Sequence, residues 1–138
     1  MEKLRVLVAE DHEPIRTFVV ALLGDVFQVV AAVSDGEQLV EAALLFPLDV
    51  IVTDIAMPHM DGLQARKQLA STGTRIPFVY MTLMDIAKLP SIPPDEAVGY
   101  VHKLDLADEL ALAISAVVGG SPYYSKSFLK NQKDPESR

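Results

Sequence analysis

Residues 48–53 read Leu-Asp-Val-Ile-Val-Thr, a short apolar run that is followed by the carboxylate of Asp54. The run is rich in β-branched residues and shorter than an ordinary helix, so it predicts a buried strand. Similar runs occupy residues 4–9, 27–32, 77–81 and 98–101. Because these runs are apolar on both faces, they indicate a sheet that is covered on both sides.

Helical patterns alternate with these runs. Apolar residues spaced three and four apart predict helices within residues 15–23, 35–45 and 110–117, with a weaker pattern over 62–70. Strands that alternate with crossover helices form parallel sheets, so five βα units predict a doubly wound α/β domain. Functional sites in such domains lie beyond the carboxyl ends of the strands.

Composition bounds the function. The chain has 138 residues, half of them apolar, which fits about one globular domain. Its formal charge is -7. Residues 1–118 carry 8 basic and 17 acidic side chains, a charge of -9, whereas residues 119–138 carry +2. This charge argues against binding nucleic acid or an anionic membrane by general electrostatics. The lack of cysteine excludes disulfides, thiolate zinc sites and cysteine nucleophiles.

The chain predicts a cytoplasmic protein with one domain. The N-terminus has no apolar signal-peptide region. The longest apolar stretch, residues 18–33, is interrupted by polar residues and is shorter than the roughly 20 residues that a bilayer requires. We expect the domain to span residues 1–120, and residues 121–138 to be a polar and basic tail or the stub of a linker.

Polar side chains follow four of the predicted strands. Glu10 and Asp11 follow the first strand, Asp54 the third, Thr82 the fourth and Lys103 the fifth. Because the carboxyl ends of parallel strands face the same way, these side chains are expected to converge in one cleft. Each has an ordinary alternative, since Glu10 and Asp11 could cap the first helix and Thr82 could simply pack in its strand. Their joint occurrence at four strand ends favours one site.

The residue types indicate phosphoryl chemistry. Three neighbouring carboxylates need a cation, and oxygen ligands without histidine or cysteine suit Mg²⁺. A lysine and a hydroxyl beside such an ion can neutralise and hydrogen-bond phosphoryl oxygens. Asp54 is the best candidate nucleophile, forming an aspartyl phosphate, because its strand is the most uniformly apolar.

These residues carry a family resemblance. Glu10-Asp11, Asp54-Ile-Ala-Met-Pro58, Met60-Asp-Gly62, Thr82 and Gly99-Tyr-Val-His-Lys103 together resemble the receiver domain of bacterial two-component response regulators. The resemblance covers residues 4–118. It implies a flavodoxin-like sheet of five parallel strands in the order 2-1-3-4-5 with helices on both faces. It also implies a phosphorylation-dependent signalling switch rather than an enzyme.

The resemblance assigns roles to individual residues. Asp54 is the expected phosphoacceptor for a sensor histidine kinase, and Thr82 and Lys103 are expected to hold the phosphoryl oxygens. Tyr100 matches the switch aromatic, whose ring turns inward after phosphorylation; an ordinary packed strand residue is the alternative. The implied Mg²⁺ site uses three carboxylates, one of them acting through water, and one backbone carbonyl: Asp11, Asp54, Glu10 (through water) and Ala56 (backbone).

Residues 110–128 resemble receivers of the LuxR/NarL type, which precede a helix-turn-helix output domain. The resemblance implies control of transcription, with DNA bound only through an output domain outside this chain, and a homodimer that forms on phosphorylation. The first and last predicted helices are candidates for the dimer face. A single-domain receiver is the alternative to a piece of a longer regulator.

Three features depart from the family pattern. Leu104 follows Lys103 where many receivers have proline. Leu83 follows Thr82 where a small residue is usual, and we expect its bulk to narrow access to the acyl phosphate. Pro90, Pro93 and Pro94 fall where the fourth helix should run, and each proline in a helix interior costs roughly 3 kcal/mol. We therefore expect that helix to be short, displaced or absent.

Other functions remain open at this point. A phosphatase with an aspartyl nucleophile would want Asp-x-Asp, but Ala56 stands two residues after Asp54. A receiver-like interaction module that works without phosphate is the stronger alternative. A flavin protein is disfavoured because no phosphate-binding loop follows the first strand. His12, His59 and His102 share no ligand spacing and are interpreted as non-ligands.

Overall fold

The computed structural model describes residues 2–89 and 96–133. Its strands are β1 (Arg5–Ala9), β2 (Gln28–Val33), β3 (Val50–Asp54), β4 (Phe78–Thr82), β5 (Val98–His102) and β6 (Tyr123–Tyr124). They form one sheet in the order β2-β1-β3-β4-β5-β6, with every neighbouring pair parallel. The predicted flavodoxin-like α/β fold is confirmed, and β6 extends the expected five strands to six.

Helices connect and flank these strands. They are α1 (Glu13–Leu23), α2 (Gly36–Leu45), α3 (Gly62–Ser71), α4 (Leu106–Val118) and α5 (Lys126–Lys133). Two short 3-10 turns, Ile86–Lys88 and Lys103–Asp105, follow β4 and β5. Among the described residues, no helix is long and apolar enough to cross a membrane.

The core lies in two layers, one on each face of the sheet. Alternate residues of a strand point to opposite faces, so Val52 packs with α1 and α4 while its neighbour Ile51 packs with α2 and α3. Both side chains are fully buried. A strand that is buried on both faces requires apolar residues throughout, which explains why the runs in the sequence do not alternate with polar residues.

The connection between β4 and β5 lacks an α-helix in its described part. Within residues 83–89 and 96–97, only the 3-10 turn Ile86–Lys88 is helical. The prolines on which the expectation of a short or absent fourth helix rests (Pro90, Pro93 and Pro94) lie outside the described residues.

The described part of the segment after residue 120, residues 121–133, is folded. β6 pairs with β5 at the edge of the sheet, and α5 follows it directly. The side chain of Phe128 on α5 is fully buried in the same core layer as α2 and α3. The residues that the sequence predicts to be a tail or linker stub therefore add a strand and a helix to the domain. A connection to a further domain stays a prediction.

Candidate functional site

The carboxyl ends of β1 and β3 bring three carboxylates together. Glu10 follows β1 and is fully buried, Asp54 closes β3 with 7% of its surface exposed, and Asp11 is exposed. One carboxylate oxygen from each lies within 4.8 Å of the others. The cluster opens at the edge of the sheet where the sequence predicts the cleft.

Lys103 supplies the positive charge of the site. It follows β5, and its Nζ lies 3.0 Å from Oδ2 of Asp54 and 3.1 Å from Oε1 of Glu10. The contact with Asp54 is a well-aligned hydrogen bond. The approach to Glu10 is close but poorly aligned, so the buried Oε1 of Glu10 receives no proper hydrogen bond. One ammonium group therefore contacts two of the three clustered carboxylates.

The pKa values of Glu10 and Lys103 reflect this crowding. Burial raises the pKa of Glu10, and the charge of Asp54 raises it further. For Lys103, burial acts to lower the pKa, but the hydrogen bond to Asp54 and the negative charges of Asp54 and Glu10 together raise it above the ordinary value. Lys103 therefore remains an ammonium group, and a proton or a second cation is favoured at Glu10.

The cluster fits a divalent cation. Oε1 of Glu10 is a buried acceptor without an aligned hydrogen-bond donor, and hard cations prefer carboxylate oxygens, backbone carbonyls and water. Ala56 lies in the loop after β3, where its backbone N–H donates to Oδ1 of Asp54 over 3.2 Å. The predicted ligand residues are thus neighbours, and Mg²⁺ matches their chemistry.

Thr82 ends β4 beside the cluster. Its side chain is buried, and Oγ1 accepts a hydrogen bond of 2.9 Å from the Met84 amide. A hydroxyl that accepts in this way still has its own hydrogen to donate. The adjacent Leu83 is 66% exposed, and Leu104, which follows Lys103, is 80% exposed. Two apolar side chains thus stand next to the two residues predicted to hold phosphoryl oxygens.

Tyr100 is buried in a row of aromatic rings. Only 2% of its surface is exposed, and its ring stacks on Tyr80 at 5.4 Å and on Tyr124 at 5.6 Å between centroids. Burial raises its pKa to about 12, and the neighbouring Tyr124 contributes to the rise. The ring is therefore buried between two other rings, and its role as the switch aromatic stays a prediction.

The loop between β3 and α3 is fixed by close packing. The N–H of Gly62 donates to the Ile55 carbonyl over 2.8 Å, and a Cβ on Gly62 would lie 2.5 Å from the Asp54 carbonyl oxygen. Only glycine permits this approach. Nδ1 of His59 lies 2.9 Å from Oδ2 of Asp35, which holds the other side of the loop.

The histidines take structural roles. His59 has a φ of 70°, pairs with Asp35 and is absent from the carboxylate cluster. His12 is the residue that precedes α1, and its N–H donates to Oε2 of Glu10 over 3.1 Å. Nδ1 of His102 accepts from the Leu104 amide over 3.1 Å. Within the described residues, no histidine belongs to a candidate metal site.

Neither Glu10 nor Asp11 is the N-cap of α1, because that residue is His12, although Glu10 accepts the His12 N–H at the start of the helix. Arg16 was not foreseen. Its guanidinium donates to the Glu10 carbonyl over 2.8 Å and so holds the loop that carries both acids. Its place near the start of α1, six residues after Glu10, was the feature of the sequence that could have indicated this contact.

The comparison with known families agrees with this geometry. Residues 6–115 match the family described as the response regulator receiver domain. The chain belongs to that family. This receiver domain is similar to the response regulator GacA of Pseudomonas aeruginosa, with 31% identity over 95% of the chain and 67% of the relative. It is 28% identical to the response regulator UvrY of Escherichia coli K12, over 96% of the chain and 64% of that protein.

The fold of this receiver domain is also that of solved LuxR-family regulators. A two-component response regulator of the LuxR family from Aurantimonas sp. SI85-9A1 superposes with a TM-score of 0.80 at 18% identity. The match covers 99% of this chain and all of that one, so it includes β6 and α5. In contrast, the chain spans only about two thirds of the length of the curated relatives GacA and UvrY.

Proposed function

We propose that this receiver domain is a phosphorylation-dependent switch in which Asp54 accepts a phosphoryl group from a sensor histidine kinase. The observation that carries the proposal is the contact between Lys103 and Asp54 inside a cluster of three carboxylates. A nucleophile, a charge-neutralising ammonium group and a divalent-cation site are the parts that phosphoryl transfer requires.

The residues divide the work as follows. An oxygen of Asp54 attacks phosphorus, a P–O bond forms, and the P–N bond to the kinase histidine breaks, so the histidine keeps the electron pair. Lys103 then contacts a phosphoryl oxygen in place of the carboxylate, and Thr82 donates its hydroxyl hydrogen to another. Glu10, Asp11, Asp54 and the Ala56 carbonyl would hold Mg²⁺. When bound, Mg²⁺ neutralises the charge that gathers on the phosphoryl oxygens.

The output lies outside this chain in our proposal. The relatives extend well beyond the matched region, and the negative charge of residues 1–118 does not suit direct binding of DNA. We infer that phosphorylation in the cytoplasm controls transcription through a separate DNA-binding domain. The switched state is expected to form a homodimer.

Acetyl phosphate with Mg²⁺ tests the proposal directly. The wild type is expected to gain one acid-stable, hydroxylamine-labile phosphoryl group, and Asp54→Asn is expected to gain none. Asp25→Asn, an identical change at an exposed position outside the cluster, is the matched control and is expected to behave as the wild type. Equal labelling of Asp54→Asn, or no labelling of the wild type, contradicts the proposal.

The same experiment separates the alternatives. A protein that gains no phosphoryl group under these conditions would be an interaction module that works without phosphate. The exposed Leu83 and the β4–β5 connection, whose described residues hold a 3-10 turn but no α-helix, are the observations that favour this second candidate. Rapid release of phosphate from small phosphate esters would instead indicate a phosphatase.

A further inference from the structure

The C-terminal segment, defined here as residues 121–133, is attached to the strand that carries Lys103. β6 pairs with β5 in parallel, and the Ser125 amide donates to the Tyr100 carbonyl over 3.0 Å. The segment then enters α5, which lies against the turn that follows β5. The pairing with β5 therefore connects the C-terminal segment to the candidate phosphoryl site.

Ser125 joins the segment to both sides of Lys103. Its fully buried Oγ accepts from the His102 amide over 2.9 Å and donates to Oδ2 of Asp105 over 2.6 Å. Asp105, with 2% of its surface exposed, also accepts from the amide and the hydroxyl of Ser127, over 3.0 and 2.7 Å. The residue before Lys103 and the second residue after it are thus held by one serine.

A second carboxylate repeats the arrangement one turn along α4. Oε1 of Glu109 accepts from the Tyr123 hydroxyl over 2.6 Å, and Oε2 accepts from the Lys126 amide over 2.9 Å. Asp105 and Glu109 therefore accept backbone N–H groups from the first turn of α5, which no residue inside the helix can accept. Undocking the segment would break these hydrogen bonds, which are made to carboxylates that are nearly buried while the segment is docked.

Aromatic packing links the same segment to Tyr100. The ring of Tyr124 stacks on Tyr100, and the ring of Phe128 packs edge-on against His102 at 5.5 Å. Tyr100 therefore has one neighbour from the sheet interior, Tyr80, and one from the C-terminal segment. The buried position of the ring is stabilised by Tyr124 only while the segment is docked.

We propose that the C-terminal segment is part of the phosphoryl switch, so that its docking and phosphoryl binding at Asp54 stabilise each other. The inference rests on the proposed function. Docking fixes His102 and Asp105, and with them the turn from which Lys103 reaches Asp54. The same extended Lys103 has to meet a phosphoryl oxygen, so a docked segment preorganises the site. Ser125 is accordingly a positioning residue that acts through Lys103.

Linkage makes the effect reciprocal. If docking raises the affinity for a phosphoryl group by some factor, the phosphoryl group must favour docking by the same factor. Couplings between two sites commonly amount to about 5-fold to 150-fold. The two directions can be measured independently, one at the C-terminal segment and one at Asp54.

Hydrogen exchange of the wild type measures how strongly a phosphoryl group at Asp54 stabilises docking of the C-terminal segment. With Mg²⁺ and beryllofluoride, which imitates a phosphoryl group on Asp54, amides of residues 121–133 are expected to exchange about 5-fold or more slowly than with Mg²⁺ alone. Unchanged exchange in a protein that does bind beryllofluoride overturns the proposal. A wild type that binds no beryllofluoride contradicts the proposed function itself, and the coupling falls with it.

Ser125→Ala measures how strongly docking of the C-terminal segment raises the affinity for a phosphoryl group. We expect its affinity for beryllofluoride to fall by about the factor seen in exchange, while its affinity for Mg²⁺ alone does not fall, because Lys103 contributes no ligand atom and its positive charge beside Asp54 and Glu10 opposes the cation. Ser121→Ala, the same change at an exposed position in the same segment, is expected to alter neither affinity. Equal beryllofluoride affinities for Ser125→Ala and the wild type contradict the role of Ser125. The exchange experiment needs no variant, so it decides the coupling even if Ser125→Ala fails to fold.

Discussion

Nζ of Lys103 lies 3.0 Å from Oδ2 of Asp54, although the two residues end strands that are separated by β4. The contact crosses the width of one strand and is made by the long side chain of the lysine. It places a positive charge where a phosphoryl group on Asp54 would carry its negative charge. The most informative substitutions are therefore those that change the charge, access or support of this contact.

Glu10→Gln is expected to stabilise the protein in the absence of divalent ions. Burial and the charge of Asp54 raise the pKa of Glu10, and its Oε1 lacks an aligned donor. A carboxyl group with a raised folded-state pKa costs stability as the pH rises above its ordinary value of 4.5, because the unfolded chain ionises first. The expected gain at neutral pH is about 1–3 kcal/mol.

Denaturant unfolding with a chelator, between pH 4 and pH 8, measures this effect. The difference between Glu10→Gln and the wild type should grow with pH and shrink when Mg²⁺ is added. A variant that is less stable than the wild type at neutral pH without metal would contradict the assignment of Glu10 as an uncompensated carboxylate.

The pair of His59 and Asp35 predicts a second pH dependence. The hydrogen bond and the charge of Asp35 raise the pKa of His59. The pKa of Asp35 is lowered, mainly by the hydrogen bond from the Gln38 amide and also by the hydrogen bond from His59. The stabilisation is therefore fully present below the ordinary histidine value of 6.5 and is lost as the pH rises through the raised value. It is also lost at low pH, as Asp35 takes up a proton.

His59→Asn tests this pair, because asparagine tolerates the positive φ of 70° at this position but does not titrate. The stability difference from the wild type should be largest near pH 5.5 and should decline towards pH 8. An NMR titration of the wild type should give His59 a higher pKa than a free histidine. A difference in stability that is independent of pH would contradict the pairing.

Leu83→Ala is expected to shorten the lifetime of the phosphorylated state. Leu83 is 66% exposed beside Thr82, and we expect its side chain to restrict the approach of water to an acyl phosphate on Asp54. Hydrolysis is expected to accelerate by a few-fold to about tenfold, which corresponds to roughly 1 kcal/mol in barrier height. The measurement is the loss of label from the purified phosphoprotein. Leu44→Ala on α2 is the control, and an equal rate in Leu83→Ala and the wild type would refute the shielding role.

The dimer is expected to use α1 and α4, which lie on the same face of the sheet. Phe18 on α1 and Leu112 on α4 are 47% and 57% exposed. With Mg²⁺ and beryllofluoride, sedimentation velocity should show a dimer for the wild type and a monomer for Leu112→Glu. Leu44→Glu, equally exposed on α2, should still dimerise. An unchanged sedimentation profile of the wild type would remove the dimer but leave the phosphoacceptor assignment standing.

Sequence reasoning recovered the elements whose pattern depends on local burial. The run at residues 48–53 corresponds to β3 (Val50–Asp54) because a strand that is buried on both faces admits only apolar residues. The convergence of Glu10, Asp54 and Lys103 followed from the direction of parallel strands alone. These are properties of the sheet, and the sequence shows them directly.

The C-terminal segment was beyond this reasoning because distant residues stabilise it. β6 contains two residues, and the partners of Tyr123 and Ser125 are Glu109 and Asp105, which belong to the preceding helix and turn. A polar, lysine-rich composition indicates a tail unless these carboxylates are known to cap α5. Ser125 before α5 and the apolar Phe128 within it were the available signals, and both are weak without tertiary contacts.

The most direct test of the central claim is to map the phosphorylated residue chemically. Borohydride reduces an aspartyl phosphate to homoserine, so treatment after incubation with acetyl phosphate and Mg²⁺ marks the phosphoacceptor in a peptide mass spectrum. We predict homoserine at position 54 in the wild type and no homoserine anywhere in Asp54→Asn. Homoserine at another aspartate in the wild type, or none at all, would contradict Asp54 as the phosphoacceptor.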